Sequence, residues 1–205
     1  MSIKLLFKLP RTFNLAFSGG VDSLAAAHFF RNNHNVTLLH FNHGCEYSDA
    51  IEEECRLRAE SLSLPIIVEK IKDEPKKGQS VEDYWRRNRY RFLRSFDNQF
   101  VTCHHLNDAI EGWVMTSMHG ESKLIPPYDN KVLRPFLIIE KQSLVDYAEH
   151  HDLIPVDDPF NADTSLTRNY VRANMMEHIY KINPGINKVI RKKYLKYIQE
   201  NPFTK

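Results

Sequence analysis

Residues 13–30 read Phe-Asn-Leu-Ala-Phe-Ser-Gly-Gly-Val-Asp-Ser-Leu-Ala-Ala-Ala-His-Phe-Phe. The apolar run at 13–17 predicts a strand, and the stretch after Ser23 predicts a helix. Gly19 and Gly20 lie between them and allow backbone angles and a close approach that a Cβ would block. Because Ser23 and the free N–H groups of a first helical turn can bind an anion, this loop predicts a phosphate site.

The loop at 18–23 matches neither of two common nucleotide-binding patterns. A Walker A element requires Gly-Lys followed by Ser or Thr, and a dinucleotide turn requires Gly-x-Gly-x-x-Gly. The order Ser-Gly-Gly-Val-Asp-Ser contains neither pattern. The sequence therefore predicts another class of nucleotide loop, with an ordinary strand-to-helix turn as the alternative.

Short β-rich runs alternate with helical stretches over the first part of the chain. This alternation predicts the α/β class, a Rossmann-like parallel sheet with helices on both faces. Ligands of such sheets bind at the carboxyl ends of the strands, which here carry 18–23, 42–44 and 104–108. The predicted strands are 13–17, 36–41, 65–71 and 100–103, and the predicted helices lie near 22–32, 48–63, 80–97 and 106–118.

The second part of the chain is helical and basic. We expect one more short strand at 132–135, and then helices near 140–150, 164–181 and 185–200. The chain thus divides into a nucleotide-binding α/β core, residues 1–135, and a helical basic extension of the same catalytic domain, residues 136–205. Nine Lys or Arg stand against two acids between Thr164 and Lys205. This charge indicates either a polyanionic partner or a solvated helix face.

Length and composition narrow the class of protein. With 205 residues, 42% of them hydrophobic, the chain is long enough for one domain with a proper core. It has no apolar run of about 18 residues and no signal peptide, which predicts a soluble, cytoplasmic protein. Three cysteines without a Cys-x-x-Cys pair argue against a disulfide framework and a cysteine-rich metal site. We interpret Cys103 as a small apolar residue rather than a nucleophile.

Two polar motifs follow predicted strands. The motif at 40–44, His-Phe-Asn-His-Gly, closes the second strand, where its backbone could contact adenine. Its Asn42 could equally bond local backbone in the next turn. In the motif after the fourth strand, Asp108 and Glu111 are three residues apart and share a helix face, where they could bind a cation or a substrate ammonium. Alternatively, Asp108 only stabilises the helix dipole.

Arginines are concentrated on two predicted helices. The helix near 80–97 has an apolar stripe that includes Trp85 and a basic face, with Arg86 and Arg89 between them. A guanidinium there can clamp a phosphate or cross-link a carboxylate. On the later helix Arg168 and Arg172 share a face, after a polar turn in which Asp163 or Thr164 is the predicted N-cap.

Together these segments resemble the catalytic N-terminal domain of the tRNA(Ile)-lysidine synthetase family, within the N-type ATP pyrophosphatase (PP-loop) superfamily. The resemblance spans residues 13–190 and implies a compact form without the C-terminal domains that help to grip tRNA. Asn107, Ala109 and Gly112 differ from the family's usual Asp, Gln and Thr, which predicts altered metal or substrate affinity. The matching blocks are 18–23, 40–44, Arg86-x-x-Arg89-Tyr90, Thr102-x-His104-His105-x-x-Asp108-x-x-Glu111, 133–136, and Asp158-Pro159-x-Asn161-x-Asp163-Thr164 with Arg168-Asn169-x-x-Arg172.

The resemblance implies three sets of site residues. The implied catalytic residues are Asp22, His104, His105, Asp108 and Glu111, and the implied metal ligands are Asp22 and Asp108. The implied ATP-binding residues are Ser18, Gly19, Gly20, Asp22, Ser23, His40 and Asn42. The implied RNA-binding residues are Arg86, Arg89, Arg168 and Arg172.

The resemblance also implies an activity. A ligase of this family uses ATP and Mg²⁺ to adenylate the wobble cytidine of CAU-anticodon tRNA(Ile), then joins free L-lysine to it with release of AMP and pyrophosphate. It needs no membrane, and a homodimer is compatible with it. Three alternatives stay open. They are a tRNA thiolase, which should need a reactive cysteine pair that is absent here; an amidotransferase-type synthetase acting on a small molecule; and a non-catalytic nucleotide- or RNA-binding relative.

Overall fold

Six strands form one sheet in the order β3-β2-β1-β4-β6-β5 in the structure, a computed structural model that describes residues 3–73, 75, 77–157, 159 and 167–203. All neighbouring strands are parallel except the β5–β6 pair. The predicted parallel sheet is confirmed. The sequence did not predict β5, because two residues are too few to show an alternation. The strands are β1 (Thr12–Ala16), β2 (Asn35–Asn42), β3 (Ile66–Lys70), β4 (Phe100–Val101), β5 (Tyr128–Asp129) and β6 (Val132–Leu133).

The helices lie close to the predicted positions. They are α1 (Val21–Phe30), α2 (Ser48–Ser61), α3 (Val81–Arg94), α4 (Leu106–Met118), α5 (Lys141–His150), α6 (Thr167–Tyr170), α7 (Met176–Ile182) and α8 (Ile186–Glu200). A π-helical segment, Val171–Met175, joins α6 to α7. The predicted N-cap at Asp163 or Thr164, and most of the polar turn before it, lie outside the described residues.

Helices cover both faces of the sheet and pack against the side chains that alternate along its strands. Phe13 and Leu15 of β1 are fully buried on the face that α1, α2 and α5 cover. Leu39 and Phe41 of β2 point to the other face, where Phe92 of α3 packs against them. Successive residues of a strand point to opposite faces, so apolar strands such as these require cover on both sides. The expected helices on both faces are thus confirmed.

The C-terminal helices pack against α4 rather than standing apart. Ile110 of α4 shares a buried cluster with Ile190 and Tyr194 of α8 and with Met176 of α7. A division of the chain near residue 135 therefore stays a prediction. Among the helices of the described ranges, none combines the length and the apolar character needed to cross a membrane.

The strand order creates a crevice between β1 and β4. The chain runs from β1 outward to β2 and β3, and then returns to the other side of β1 to form β4. Parallel α/β sheets bind ligands at such a reversal, outside the carboxyl ends of the strands. Here α1 begins just after β1 and α4 begins just after β4, so both helix N-termini adjoin the crevice.

Candidate nucleotide-binding and catalytic site

A cavity of ≈ 450 Å³ opens at the carboxyl ends of the central strands. Its walls come from the loop after β1, the ends of β2 and β4, helix α3 and the start of the helix that follows residue 167. Most of the residues predicted for the site therefore meet in one place. Those that line the cavity are Ser18, Gly20, Asp22, Ser23, His40, Asn42, Arg89, His104, Asp108, Arg168 and Arg172.

Gly19 gives the phosphate loop its shape. Its φ of +77° lies in the left-handed region that favours glycine. A Cβ there would come within 2.6 Å of Val156 Cγ2 and 2.8 Å of Cys55 Sγ. The Val156 N–H also donates to the Gly19 carbonyl at 3.0 Å. A segment far along the chain thus fixes this turn, and no side chain fits at residue 19.

Ser23 closes the loop from inside. The Ser18 N–H donates to Ser23 Oγ at 3.3 Å, and Ser23 Oγ donates to the Gly20 carbonyl at 3.1 Å. Gly20 is the N-cap of α1 and has no side chain to accept from the first-turn N–H groups. Such N–H groups and the helix dipole favour an anion. The geometry of the loop is compatible with an anion site, and the phosphate site stays a prediction.

His105 links the phosphate loop to α4. A reciprocal capping box starts this helix: the Asp108 N–H donates to His105 Nδ1 at 3.2 Å, and the His105 N–H donates to Asp108 Oδ2 at 2.9 Å. Because Nδ1 accepts, the neutral ring carries its proton on Nε2. That nitrogen faces Asp22 Oδ2 at 3.7 Å. Asp22, His105 and Asp108 thus form a continuous polar chain from α1 to α4.

Two carboxylates of α4 form ion pairs with two arginines. Arg168 belongs to α6, and Arg172 belongs to the π-helical segment that follows it. Arg172 grips Glu111 with two contacts, from Nε to Oε1 at 2.8 Å and from Nη2 to Oε2 at 2.9 Å. Arg168 Nη2 donates to Asp108 Oδ1 at 2.9 Å. Burial alone would raise the pKa of Asp108, but His105 and Arg168 outweigh it and hold that pKa below its usual value. Asp108 is therefore an ionised carboxylate at neutral pH.

Asp22 has the opposite electrostatic environment. Burial raises the pKa of its carboxyl, while His105 and Lys141 oppose the shift and Asp108 adds to it. Its Oδ1 is buried, and no described residue forms a hydrogen bond with it. A carboxylate in this state gains from a cation or a proton. Asp22 therefore suits either a bound cation or a base.

Two predicted site histidines are neutral. Burial lowers the pKa of His104 to about 3, and its Nδ1 lies 2.8 Å from Thr102 Oγ1. Burial also lowers the pKa of His40. The His40 Nδ1–H donates to the Phe17 carbonyl at 3.0 Å, which leaves Nε2 as an acceptor. Neither ring supplies a positive charge at neutral pH.

The side chain of Asn42 is committed to the wall of the cavity. Its Nδ2 donates to Asp49 and Glu52 of α2, both at 2.8 Å, and its Oδ1 accepts the Gly44 N–H at 2.8 Å. These bonds fit the turn-capping alternative. A contact from this motif to ATP would come from the backbone. The predicted role of Asn42 in ATP binding stays a prediction.

Of two positions that differ from the resembled family, Asn107 has a local packing role, whereas the packing around Gly112 does not require a glycine. Asn107 Nδ2 donates to the Tyr180 hydroxyl at 3.1 Å, and its Oδ1 accepts the Lys141 N–H at 2.9 Å. It thereby joins α4 to α5 and α7. A Cβ at Gly112 would lie 3.6 Å from Ile125, an ordinary contact. Neither position lines the cavity.

The arginines of α3 divide into two kinds. Both Arg86 and Arg89 are exposed, but of the two only Arg89 lines the cavity. The apolar stripe of α3 predicted a packing role for Trp85, but this side chain lines the cavity beside His43. The i to i+4 spacing of Trp85 and Arg89 could have indicated this shared face.

Comparison with known proteins identifies the family. The profile of the PP-loop domain matches residues 3–179. The tRNA(Ile)-lysidine synthase of Persephonella marina is 30% identical over 190 residues, which cover 84% of this chain and 42% of that protein. For the tRNA(Ile)-lysidine synthase of Nitrosomonas europaea the values are 26%, 194 residues, 86% and 42%. The bifunctional protein TilS/HprT of Listeria monocytogenes is 30% identical over 195 residues, with 84% and 30% covered.

The chain spans less than half the length of each of these relatives. The matched region nevertheless includes the phosphate loop, both motifs at the strand ends and the paired arginines. The loop at 18–23 lies within the matched PP-loop domain. The chain belongs to the PP-loop domain family, and it is an ATP-binding protein of that family.

Proposed function

We propose that this chain adenylates the wobble cytidine of CAU-anticodon tRNA(Ile) and joins free lysine to it, forming lysidine. The observation that carries the proposal is the polar chain of Asp22, His105 and Asp108. It joins the loop at 18–23 to the Asp108 carboxylate in the wall of one cavity, and Glu111 is buried behind Asp108 in the same network. A reaction that spends ATP on an amine transfer needs these two parts side by side. The names of the relatives supply the substrates.

In the first step the carbonyl oxygen of cytidine attacks the α-phosphorus of ATP, and pyrophosphate leaves. The proposed role of the loop at 18–23 is to hold the phosphates through its N–H groups and Ser23 Oγ. Arg89 lines the same cavity, and it has no ion pair with a residue in the described ranges. It is therefore available to neutralise the charge that builds up on the phosphates.

In the second step the ε-amine of lysine attacks the activated carbon, and AMP leaves. The ammonium form must first lose a proton, which requires a base. Asp108, whose pKa is lowered, suits binding of an ammonium, whereas Asp22, whose pKa is raised, is the better proton acceptor. Glu111 lies behind Asp108 in the same network and is proposed to bind the ammonium with it.

Mg²⁺ fits part of this site. No group of three or more His, Cys, Asp or Glu suited to a metal occurs among the residues that the structure describes. Mg²⁺, however, takes one or two carboxylates together with substrate phosphates and water. Asp22 lies beside the phosphate loop, and its buried Oδ1 forms no hydrogen bond with a described residue, so it would hold Mg²⁺ as the alternative to serving as the base. Asp108 is the second proposed ligand. A bound Mg²⁺ would neutralise phosphate charge.

Arginines and the basic C-terminal helices are proposed to meet RNA. Arg86 and Arg89 present guanidinium groups at or near the cavity. Arg168 and Arg172 are held by Asp108 and Glu111, so we propose that they position those carboxylates and meet a phosphate only from the cavity side.

The thiolase alternative lacks support in the site. Cys103 lines the cavity, but burial raises the pKa of its thiol well above the usual value. A protonated thiol is a weak nucleophile. The described part of the chain contains all three cysteines, and none of them is in a disulfide.

Mass spectrometry of nucleosides tests the proposal. The protein is incubated with CAU-anticodon tRNA(Ile), ATP, Mg²⁺ and isotopically labelled lysine. We expect a labelled cytidine adduct, an equal amount of AMP, and negligible AMP without RNA. Asp22→Asn and a transcript with uridine at the wobble position are the matched controls, and both should give no adduct. Robust AMP formation without RNA, or an adduct with Asp22→Asn, would contradict the proposed mechanism.

A further inference from the structure

Aromatic rings form a row from the core into the cavity. Phe92 of α3 lies 5.9 Å from Phe41 of β2, ring centre to ring centre. Phe41 lies 5.2 Å from His43, and His43 lies 5.3 Å from Trp85 with the two planes 43° apart. The first two rings belong to the buried cluster between β2 and α3. Phe41, His43 and Trp85 line the cavity, so the row brings an indole to the cavity wall.

The row carries no charge at neutral pH. Burial, together with the positive charge of nearby Arg89, lowers the pKa of His43 to about 4. The His43 ring therefore stays neutral and packs as an aromatic. Its Nδ1 is buried and forms no hydrogen bond with a described residue. A neutral planar wall of this kind suits a neutral planar ligand.

A cation stands one helical turn from the indole. Trp85 and Arg89 are four residues apart on α3, and both line the cavity. Residues at this spacing share a helix face. Proteins that bind nucleotides combine an aromatic face, against which a base stacks, with a guanidinium that contacts the backbone phosphate. The two groups required are present here at the right spacing.

We propose that Trp85 is a stacking platform for a nucleobase, and that Arg89 contacts a phosphate of the same nucleotide. This inference rests on the proposed function, because it adds a base subsite to that cavity. The nucleobase comes from ATP or from the RNA substrate. The row stands at the carboxyl end of β2, next to His40 and Asn42, where adenine was expected.

Tryptophan fluorescence tests the platform directly. The chain has two tryptophans, and Trp113 lies on α4 outside the cavity lining. Trp113→Phe thus leaves Trp85 as the single reporter. We expect a non-hydrolysable ATP analogue to quench its emission, while inorganic tripolyphosphate, which has no base, does not. Quenching by a CAU anticodon stem-loop but not by the analogue would also support a platform and assign the base to RNA.

Equal effects of tripolyphosphate and the analogue, or no effect of either nucleotide ligand, would overturn the inference. The matched control is Trp85→Phe, in which Trp113 reports and no quenching should occur. As a second readout, Trp85→Ala should raise the Kd of the quenching ligand about tenfold, and Trp85→Phe about threefold or less, since a phenyl ring still stacks.

The two proposals fail separately. Suppose that Trp85→Ala binds the analogue and the stem-loop with unchanged Kd and also forms the labelled lysine adduct. The stacking platform is then wrong, and the proposed function stands. If Trp85 is quenched as expected but no adduct forms with any RNA, the nucleotide subsite stands and the lysine ligase is wrong.

Discussion

Neighbouring glycines of the phosphate loop have different tasks at the scale of single residues. Gly19→Ala forces a Cβ at positive φ into Val156 and should lower the free energy of unfolding by about 1–3 kcal/mol. Gly20→Ala has a φ of −62° and meets only Ser18 Oγ, at 3.6 Å. It should fold normally but weaken ATP binding, because the phosphates are proposed to approach the Gly20 backbone. Urea unfolding and titration with an ATP analogue separate the two effects.

Gly120 supplies the control for backbone strain. Its φ is +81°, and an added Cβ would have nothing within 4 Å. Gly120→Ala therefore measures the strain of a positive φ without a clash. If Gly19→Ala were no more destabilising than Gly120→Ala, the proposed conflict with Val156 would be wrong.

The Asp22 carboxylate is expected to lower the free energy of unfolding at neutral pH and to be necessary for activity. Its raised pKa means that the folded protein carries an unfavourable buried charge at neutral pH. Asp22→Asn should therefore raise the free energy of unfolding by up to about 1 kcal/mol while it abolishes AMP formation. The increase in unfolding free energy of Asp22→Asn over the wild type should be largest above the pKa of Asp22 in the folded state. It should vanish as the pH falls towards 3.8, because the wild-type carboxyl is then protonated too.

Parallel urea titrations of wild type and Asp22→Asn between pH 4 and pH 8 measure this difference. A stability difference that does not change with pH, or a less stable variant at pH 8, would contradict the assigned environment of Asp22.

The sequence indicated the loop and the carboxylates at this scale, since both are local patterns. The order Ser-Gly-Gly-Val-Asp-Ser predicts the turn, and a spacing of three places Asp108 and Glu111 on one helix face. It could not show that Val156 closes on Gly19, because that contact joins segments far apart in the chain. Nor could it show that His105 faces Asp22, because two different strand ends must meet first.

At the scale of elements, ion pairs join α4 to the helix after residue 167. Glu111 is 3% exposed and depends on Arg172 and Arg168 for compensation. Arg172→Met should cost about 3–5 kcal/mol of unfolding free energy, because it leaves much of a buried charge unpaired. Glu111→Leu with Arg172→Met should be less damaging than Arg172→Met alone. Urea unfolding of the single and double variants gives the coupling energy.

An exposed pair on the same helical run provides the comparison. Lys181 and Glu177 are 2.7 Å apart, with 67% and 74% of their side chains exposed. Lys181→Met should change the unfolding free energy by less than about 1 kcal/mol. If Lys181→Met lowered the unfolding free energy as much as Arg172→Met does, the buried ion pairs would not stabilise the protein more than an exposed pair.

Elements with strong local signals were predicted well. Helix α4 has the predicted bounds, 106–118, because an apolar face and a capping residue mark it. The π-helical segment Val171–Met175 was missed, since its extra residue is set by packing against α4 and has no pattern of its own. Trp85 was assigned to packing because its period is that of an apolar stripe, and only the cavity shows what it faces.

At the scale of the whole molecule, the basic charge of the C-terminal helices predicts that bound RNA contacts α8 as well as the cavity. Lys188, Lys192 and Lys193 are exposed on α8, and none has an ion pair with another described residue. Each lysine that meets a phosphate releases counterions on binding, so log K falls with log salt. Replacing all three with Gln should reduce the slope of that plot by about two to three and weaken tRNA binding at low salt.

Replacement of the same three lysines with Arg keeps the charge and should keep the slope, which separates charge from helix stability. The ATP analogue should bind both variants as it binds the wild type, because α8 does not line the cavity. An unchanged slope in the Gln variant would mean that the basic charge of α8 is only a solvated face. Among the residues that the structure describes, the proposed RNA contacts would then be confined to the cavity and α3.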